Sequence, residues 1–192
     1  MRVIGAIAAA VMLSASAVQA QATADPGEEA GLGIDRVGSY LSYTWVDKAH
    51  GGWDLGAELD IGSVVIPAAR IVLGVNYLRA DADRVGTVGQ ELESSFHDFS
   101  TTADLRLTLF RWHRLEPFVG GGISGHFLGN DIAGSESLRE RYRGAKLGAQ
   151  VFGGTALDLT DDGVWSGYLE LRRMEVPDVG RTTLRVGAFV RI

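Results

Sequence analysis

No cysteine occurs in the 192 residues, so disulfides and thiolate metal sites are both excluded. Proline is scarce, at 4 residues, and lysine is nearly absent: Lys48 and Lys146 are the two exceptions among 18 basic residues. After the N-terminal region the chain has no apolar run of roughly 18 residues, which excludes a transmembrane helix. Positive charge is also lacking in sum. The net charge is −6, without the basic footprint that a nucleic-acid partner requires.

Glycine, in contrast, is abundant at 26 residues without low complexity, which points to crowded backbones or tight turns. The first residues read as an export signal. Arg2 supplies a positive start, Val3 to Leu13 is apolar but too short to span a bilayer, and Val18-Gln19-Ala20 forms a small-residue cleavage site. The expected organisation is a signal peptide over 1–20, a small, acidic, aperiodic lead-in over 21–36, and one domain over 37–192.

From Val37 onward the chain alternates with period two, broken by turn residues. The pattern predicts eight strands: Val37–Val46, Trp53–Val65, Arg70–Ala80, Phe99–Phe110, Pro117–Phe127, Arg143–Leu159, Val164–Met174 and Thr182–Ile192. Most are long enough to cross a bilayer at a tilt, which takes about nine to eleven residues, whereas globular strands centre on about five or six. In the second, Trp53, Leu55, Ala57, Leu59 and Ile61 share one face, with Asp54, Gly56, Glu58, Asp60 and Gly62 on the other. Expected connections near Ile66–Ala69, Arg111–Glu116 and Thr160–Gly163 are short. Those at Asp47–Gly52, Asp81–His97, Leu128–Tyr142 and Glu175–Arg181 are mostly longer. Short turns at one end and longer loops at the other are the habit of outer-membrane barrels.

Alternation alone does not say which face is outside, because soluble barrels alternate too. Three features favour a polar interior. The polar face is rich in glycine, as the narrow interior of an eight-stranded barrel requires. It also carries five acids (Asp54, Glu58, Asp60, Asp104, Glu170) and five bases (Arg106, Lys146, Arg172, Arg185, Arg191), and buried charges need partners. Aromatic residues cluster near strand ends: Tyr43, Trp45, Trp53, Tyr77 and Phe99 on the loop side, Trp112 and Trp165 on the turn side, like two interfacial girdles. The expected fold is therefore all-β, an eight-stranded antiparallel transmembrane β-barrel. The interior charges are expected to form a network across the lumen centred on Glu58, Asp104, Arg106, Glu170 and Arg172.

The signal, the eight alternating strands and the string Pro117-Phe118-Val119-Gly120-Gly121-Gly122-Ile123 resemble those of small outer-membrane β-barrels related to the OmpA transmembrane domain, OmpX and the opacity proteins. The resemblance covers roughly Val37 to Ile192. It implies the outer membrane of a Gram-negative-type cell, with outer-membrane lipids and lipopolysaccharide around the protein, and barrel-assembly machinery and periplasmic chaperones during export. One departure stands at the C-terminus: such barrels usually end in Phe, whereas this chain ends in Ile192, with Phe189 on the other face.

No constellation demands chemistry, a cofactor or a metal. Ser124 and His126 share a strand face, but no acidic residue can be named to orient the imidazole, and an interior or rim polar pair is the plainer reading. His50 and His97 are expected in outer loops, and with His113 and His126 they show no metal-ligand spacing. Gly120–Gly122 lacks the helix and the Lys-Ser/Thr of a phosphate loop. Arg139, Arg141 and Arg143, in or beside the loop Gly134–Tyr142, are candidates for contact with lipopolysaccharide phosphates. The expected role is non-enzymatic: envelope structure or surface interaction through the outer loops. A narrow conduit for small or hydrophobic solutes, as in OmpW-like barrels, is the alternative, with a lipid A-modifying enzyme behind it.

Overall fold

A computed structural model describes residues 31–47, 51–81, 95–131, 143–177 and 179–192. The expected signal peptide, most of the lead-in and the greater part of two outer loops lie outside the described residues.

Eight strands form one closed barrel: β1 (Leu32–Val46), β2 (Gly52–Ser63), β3 (Ala69–Asp81), β4 (Ser95–Thr108), β5 (Leu115–Asp131), β6 (Gly144–Asp158), β7 (Trp165–Val176) and β8 (Val179–Arg191). Every strand pairs antiparallel with its chain neighbours, and β1 closes on β8 from Arg36↔Arg191 to Val46↔Arg181. Closure leaves no unpaired sheet edge round the wall, which a membrane-spanning sheet requires.

The alternation reads directly as inside and outside. On β2, Leu55 is 63 % exposed, whereas its neighbour Asp54 is buried. Exposed Leu73, Val75, Leu105, Ile123, Leu147, Leu169, Leu171 and Val186 form an apolar belt on the outer wall. Trp45, Trp53, Tyr77, Phe99 and Phe127 border it towards the loops, and Phe110, Trp112 and Trp165 border it towards the turns.

Glycine makes room for the few large rings inside. Tyr40 pairs with Gly56, Phe118 with Gly154, Phe152 with Gly120, Tyr168 with Gly187 and Phe189 with Gly38. In each case a Cβ on the glycine would strike the paired ring. Each ring thus lies over a strand that has no side chain there.

Several boundaries differ from expectation; β5, for one, runs on to Asp131 instead of ending at Phe127. β1 begins at Leu32, because an irregularity between Leu32 and Arg36 lets the chain rejoin β2, with the Ser63 N–H bonded to the Gly31 carbonyl. β4 begins at Ser95, so His97 is a strand residue and not part of a loop. The expected loop Glu175–Arg181 shrinks to 177–178, because Glu175 pairs with Gly180 and Val176 with Val179. Burial of Val176 and Val179 inside the barrel carries the two strands to the tip. The turn after β6 follows its Asp-Gly signal: Gly163 takes φ +65°, and the Thr160 hydroxyl accepts the Trp165 N–H at 3.1 Å.

Candidate functional site

The barrel interior is layered. Nearest the turns, Asp60 accepts hydrogen bonds from Arg70 Nε at 2.6 Å and from the Gly62 N–H at 3.0 Å, and Arg70 also pairs with Asp35. The next layer holds three guanidiniums and three carboxylates. Arg172 donates to Glu170 Oε1 at 2.8 Å and to Asp104 Oδ2 at 2.7 Å. Arg185 donates to Glu58 Oε1 at 3.2 Å and lies 3.7 Å from Glu170 Oε1. Arg106 lies 3.6 Å from Glu58 and 3.5 Å from Glu170. The Tyr168 hydroxyl donates to Glu58 Oε2 at 3.0 Å, and the Gln150 amide donates to Asp104.

The five glycine-seated rings also serve these cations. Arg172 stacks 4.2 Å from the Phe152 centroid, Arg185 4.2 Å from Tyr40 and Arg106 4.5 Å from Phe118. Ring faces are negative, so they solvate guanidiniums where water is excluded. The layer carries equal positive and negative charge, which limits the cost of burying six ionised groups.

Above it, Asp54 accepts both contacts of the Asn76 amide at 3.1 Å, and the Ser100 hydroxyl donates to Asn76. Higher still, Asp98, His126 and Ser124 line up. His126 Nδ1 is 2.8 Å from Asp98 Oδ2, and Nε2 is 2.8 Å from Ser124 Oγ. An apolar group closes the loop end: Val46, Leu78, Ala80, Met174, Val176 and Val179.

The Asp98–His126–Ser124 order is that of a hydrolytic triad, and Asp98 is the acidic partner that sequence reasoning does not name. Its surroundings argue against that chemistry. Arg181 also pairs with Asp98, and its Nη2 lies 2.6 Å from His126 Nδ1, so the carboxylate is shared and not reserved for the imidazole. Ser124 is only 2 % exposed, which leaves no approach for an acyl substrate. The cluster forms a polar layer beneath the apolar group, paired except at Asp98 Oδ1, which is buried without a hydrogen-bond partner.

Eight of the ten expected interior charges line the lumen: Asp54, Glu58, Asp60, Asp104, Arg106, Glu170, Arg172 and Arg185. Lys146 and Arg191 stand apart from the network. Lys146 belongs to the inward-facing series of β6, but it lies near the loop end, where its ammonium donates to the Pro177 carbonyl at 3.1 Å. Arg191 is the last residue of β8 and is exposed. Alternation gives the facing of a residue, not its depth, and both lie at strand ends.

Arg70, Asp98 and Arg181 are luminal charges that the expected set lacks. Arg181 and Asp98 fell outside the predicted strands, so no facing could be read for them. Arg70 opens the predicted third strand and shares a face with Gly74 and Asn76, which was the available signal. Arg143 is exposed just before β6, and Arg139 and Arg141 lie outside the described residues. Among the described residues, no cluster of His, Asp and Glu could hold a metal ion.

A closed barrel with charges sealed inside and Leu, Val, Ile and aromatic residues outside is stable only with lipid against its wall. This defines a transmembrane β-barrel. No family model and no curated protein match the chain. Among solved structures it is similar to Neisserial surface protein A, with a TM-score of 0.62 and 17 % identity over 84 % of this chain and 99 % of that one. It is also similar to the N-terminal β-barrel domain of Pseudomonas aeruginosa OprF (TM-score 0.52, 13 % identity, 83 % and 99 % covered). A third is Ail, the attachment invasion locus protein of Yersinia pestis, in complex with the heparin analogue sucrose octasulfate (TM-score 0.51, 12 % identity, 84 % and 100 % covered). All three are small outer-membrane barrels, and the chain has their fold.

Proposed function

We propose that this protein is a non-enzymatic outer-membrane barrel that works at its loop end, as a surface-interaction or envelope-structural element, with the lumen serving as a plug. The observation that carries the reading is the Glu58–Asp104–Arg106–Glu170–Arg172–Arg185 layer, in which each ionised group has an opposite partner and five rings fill the remaining width. A conduit needs an open or yielding path. Here a charged layer and an apolar layer stand in series.

Interaction then falls to the connections after β3 and β5, residues 82–94 and 132–142, with Arg139 and Arg141, and Arg143 just before β6, contributing contacts to lipopolysaccharide phosphates. That Ail was solved in complex with the heparin analogue sucrose octasulfate is in keeping with polyanion binding by a barrel of this kind. Barrel-assembly machinery and periplasmic chaperones are the expected partners in export.

The experiment has two arms. Single-channel recording of the full chain in planar bilayers should show no large, steady openings, and such openings would overturn the plug. Deleting 82–94 or 132–142 should abolish binding to cells or surface polymers while heat-dependent gel mobility persists. Unchanged binding in both deletions would overturn the loop reading.

A further inference from the structure

The turn end of the lumen departs from the pairing that holds above it. The luminal guanidiniums of Arg70, Arg106, Arg172, Arg181 and Arg185 each pair with a carboxylate. Arg36 and Arg191 do not. They stand directly opposite each other across the β1–β8 seam, so they share one face of the wall. Arg36 comes nearest to Asp35, with Nε 3.7 Å from Oδ2, and Asp35 is already held by Arg70. The Arg36 side chain is 17 % exposed, and its Nε is buried without a hydrogen-bond partner. Arg191 is exposed, and among the described residues no carboxylate pairs with it.

The other carboxylates of this end are engaged elsewhere. Arg111, reaching back from the turn before β5, holds Glu116 at 3.1 Å and Asp158 at 2.6 Å. Arg70 takes Asp60 as well as Asp35. Arg36 is left with repulsion from Arg70 and Arg191, and with attraction from Glu116 and Asp60 that makes no contact. Deeper in, the lumen is shut. The Phe189 ring lies over Gly38, two residues further along both strands, and the charged layer follows. A buried guanidinium with an unmet donor is costly until an anion supplies the acceptor. The way to it is from the turn side, which in outer-membrane barrels faces the periplasm.

We propose that Arg36 and Arg191 form a carboxylate-binding site at the periplasmic mouth, taking the C-terminal end of a peptide or a small free acid. Residues directly opposed in an antiparallel pair stand about 5 Å apart. Both guanidiniums can therefore meet on one carboxylate, Arg36 from within and Arg191 from the rim. The planar fork of arginine matches the two carboxylate oxygens. Phe189 sets the depth, so an end group fits and a longer segment does not. The acids of the turn end set the charge. Asp35, Glu116 and Asp158 repel a multiply charged ion and so favour a single carboxylate over phosphate. The proposal rests on the outer-membrane reading, and it is independent of what the loops bind.

The test uses the full chain in nanodiscs of neutral phosphatidylcholine, with NMR of the arginine Nε–H groups and calorimetry for affinity. The probes are N-acetyl-alanyl-alanine, its C-terminal amide, acetate and inorganic phosphate. The free peptide should shift the Arg36 Nε–H signal, and the amide should not. Arg36→Gln should weaken peptide binding roughly 10- to 100-fold, as expected for loss of a charge-assisted contact. Arg191→Gln, at the exposed rim, should weaken it about 2- to 5-fold. Arg114→Gln, a turn arginine already paired with Asp161, should change it less than about twofold. Should Arg36→Gln lose heat-dependent mobility, Arg36→Lys, which keeps the charge and loses the fork, carries the test with Arg191→Gln. Acetate bound as tightly as the peptide assigns the site to a free acid, and weaker acetate assigns it to a peptide end. An equal shift with the amide, tighter binding of phosphate than of carboxylate, or unchanged affinity in the Arg36 variant would overturn the site. So would ligand-free Glu116→Gln moving the Arg36 signal as far as the peptide does, since Glu116 would then be its partner. A chain that fails to enter nanodiscs at all would instead overturn the membrane reading.

Discussion

Arg172 and Arg173 are consecutive in β7 and face opposite ways. Each makes close contact with two carboxylates: Arg172 with Asp104 and Glu170 at 2.7 and 2.8 Å, Arg173 with Asp47 and Glu175 at 2.7 Å. The local chemistry is nearly the same, but the surroundings differ. The Arg172 side chain is wholly buried in the lumen, whereas that of Arg173 is 37 % exposed on the outer wall. In the lumen, an ion that loses its partner keeps its charge in a medium that cannot solvate it. Outside, water and headgroups replace the partner. The pair therefore separates the cost of an ion's burial from the strength of its contacts.

The largest expected effect comes from breaking the interior layer on one side. Glu170→Ala leaves Arg172, Arg185 and Arg106 each short of a carboxylate and should destabilise the barrel by about 3–5 kcal/mol. The urea midpoint for loss of the heat-dependent mobility shift measures it. Glu170→Gln/Arg172→Met removes both members of the pair and should cost clearly less than the single change. A double variant as damaging as Glu170→Ala would mean that rigid geometry, not uncompensated charge, holds the layer.

The apolar layer offers a contrast within the same lumen. Leu78→Ala removes a fully buried side chain from the group with Val46, Met174 and Val176. It should cost roughly 2–4 kcal/mol through lost burial and a cavity. It should not raise conductance, because the charged layer still stands below. Large openings in Leu78→Ala would mean that the apolar layer is the seal and the ions merely line a path.

Sequence alone carried the fold a long way, because the inside–outside distinction repeats every second residue and a single strand such as β2 states it fully. Depth is a different matter. The Asp98–His126–Ser124 line joins residues on β4 and β5 and is met by Arg181 from β8. Its members are set side by side by register, which depends on where strands end. The β7–β8 tip illustrates this. Glu175–Arg181 reads as a loop because Pro177 interrupts it, and the apolar pair Val176 and Val179 that extends the hairpin gives too short a pattern to outweigh a proline. With the loop so assigned, Arg181 had no facing, and the luminal role of Asp98 had no visible partner.

A smaller effect is expected at this polar line. Ser124→Ala removes a hydroxyl that bonds His126 Nε2 at 2.8 Å and should cost about 1 kcal/mol, the ordinary net value of such a bond, with a further contribution from the unsatisfied ring nitrogen. A serine-directed fluorophosphonate should leave the folded wild-type chain unlabelled. Labelling that disappears in Ser124→Ala would show that substrate-sized molecules reach the triad.

The smallest effect returns to β7. Arg173→Gln breaks the contacts with Asp47 and Glu175, yet the change should fall within about 0–1 kcal/mol, the usual range for an exposed pair. It should also shrink with added salt, since exposed charges are screened over about 8 Å at physiological ionic strength. The companion Arg172→Gln should show no such relief, because counter-ions do not enter a lumen filled by rings and paired charges. Measured at low and high salt, the two neighbouring substitutions turn the comparison into a slope. If Arg172→Gln were rescued by salt as readily as Arg173→Gln, ions would have to reach the centre of the barrel, and the closed plug would give way to a permeable one.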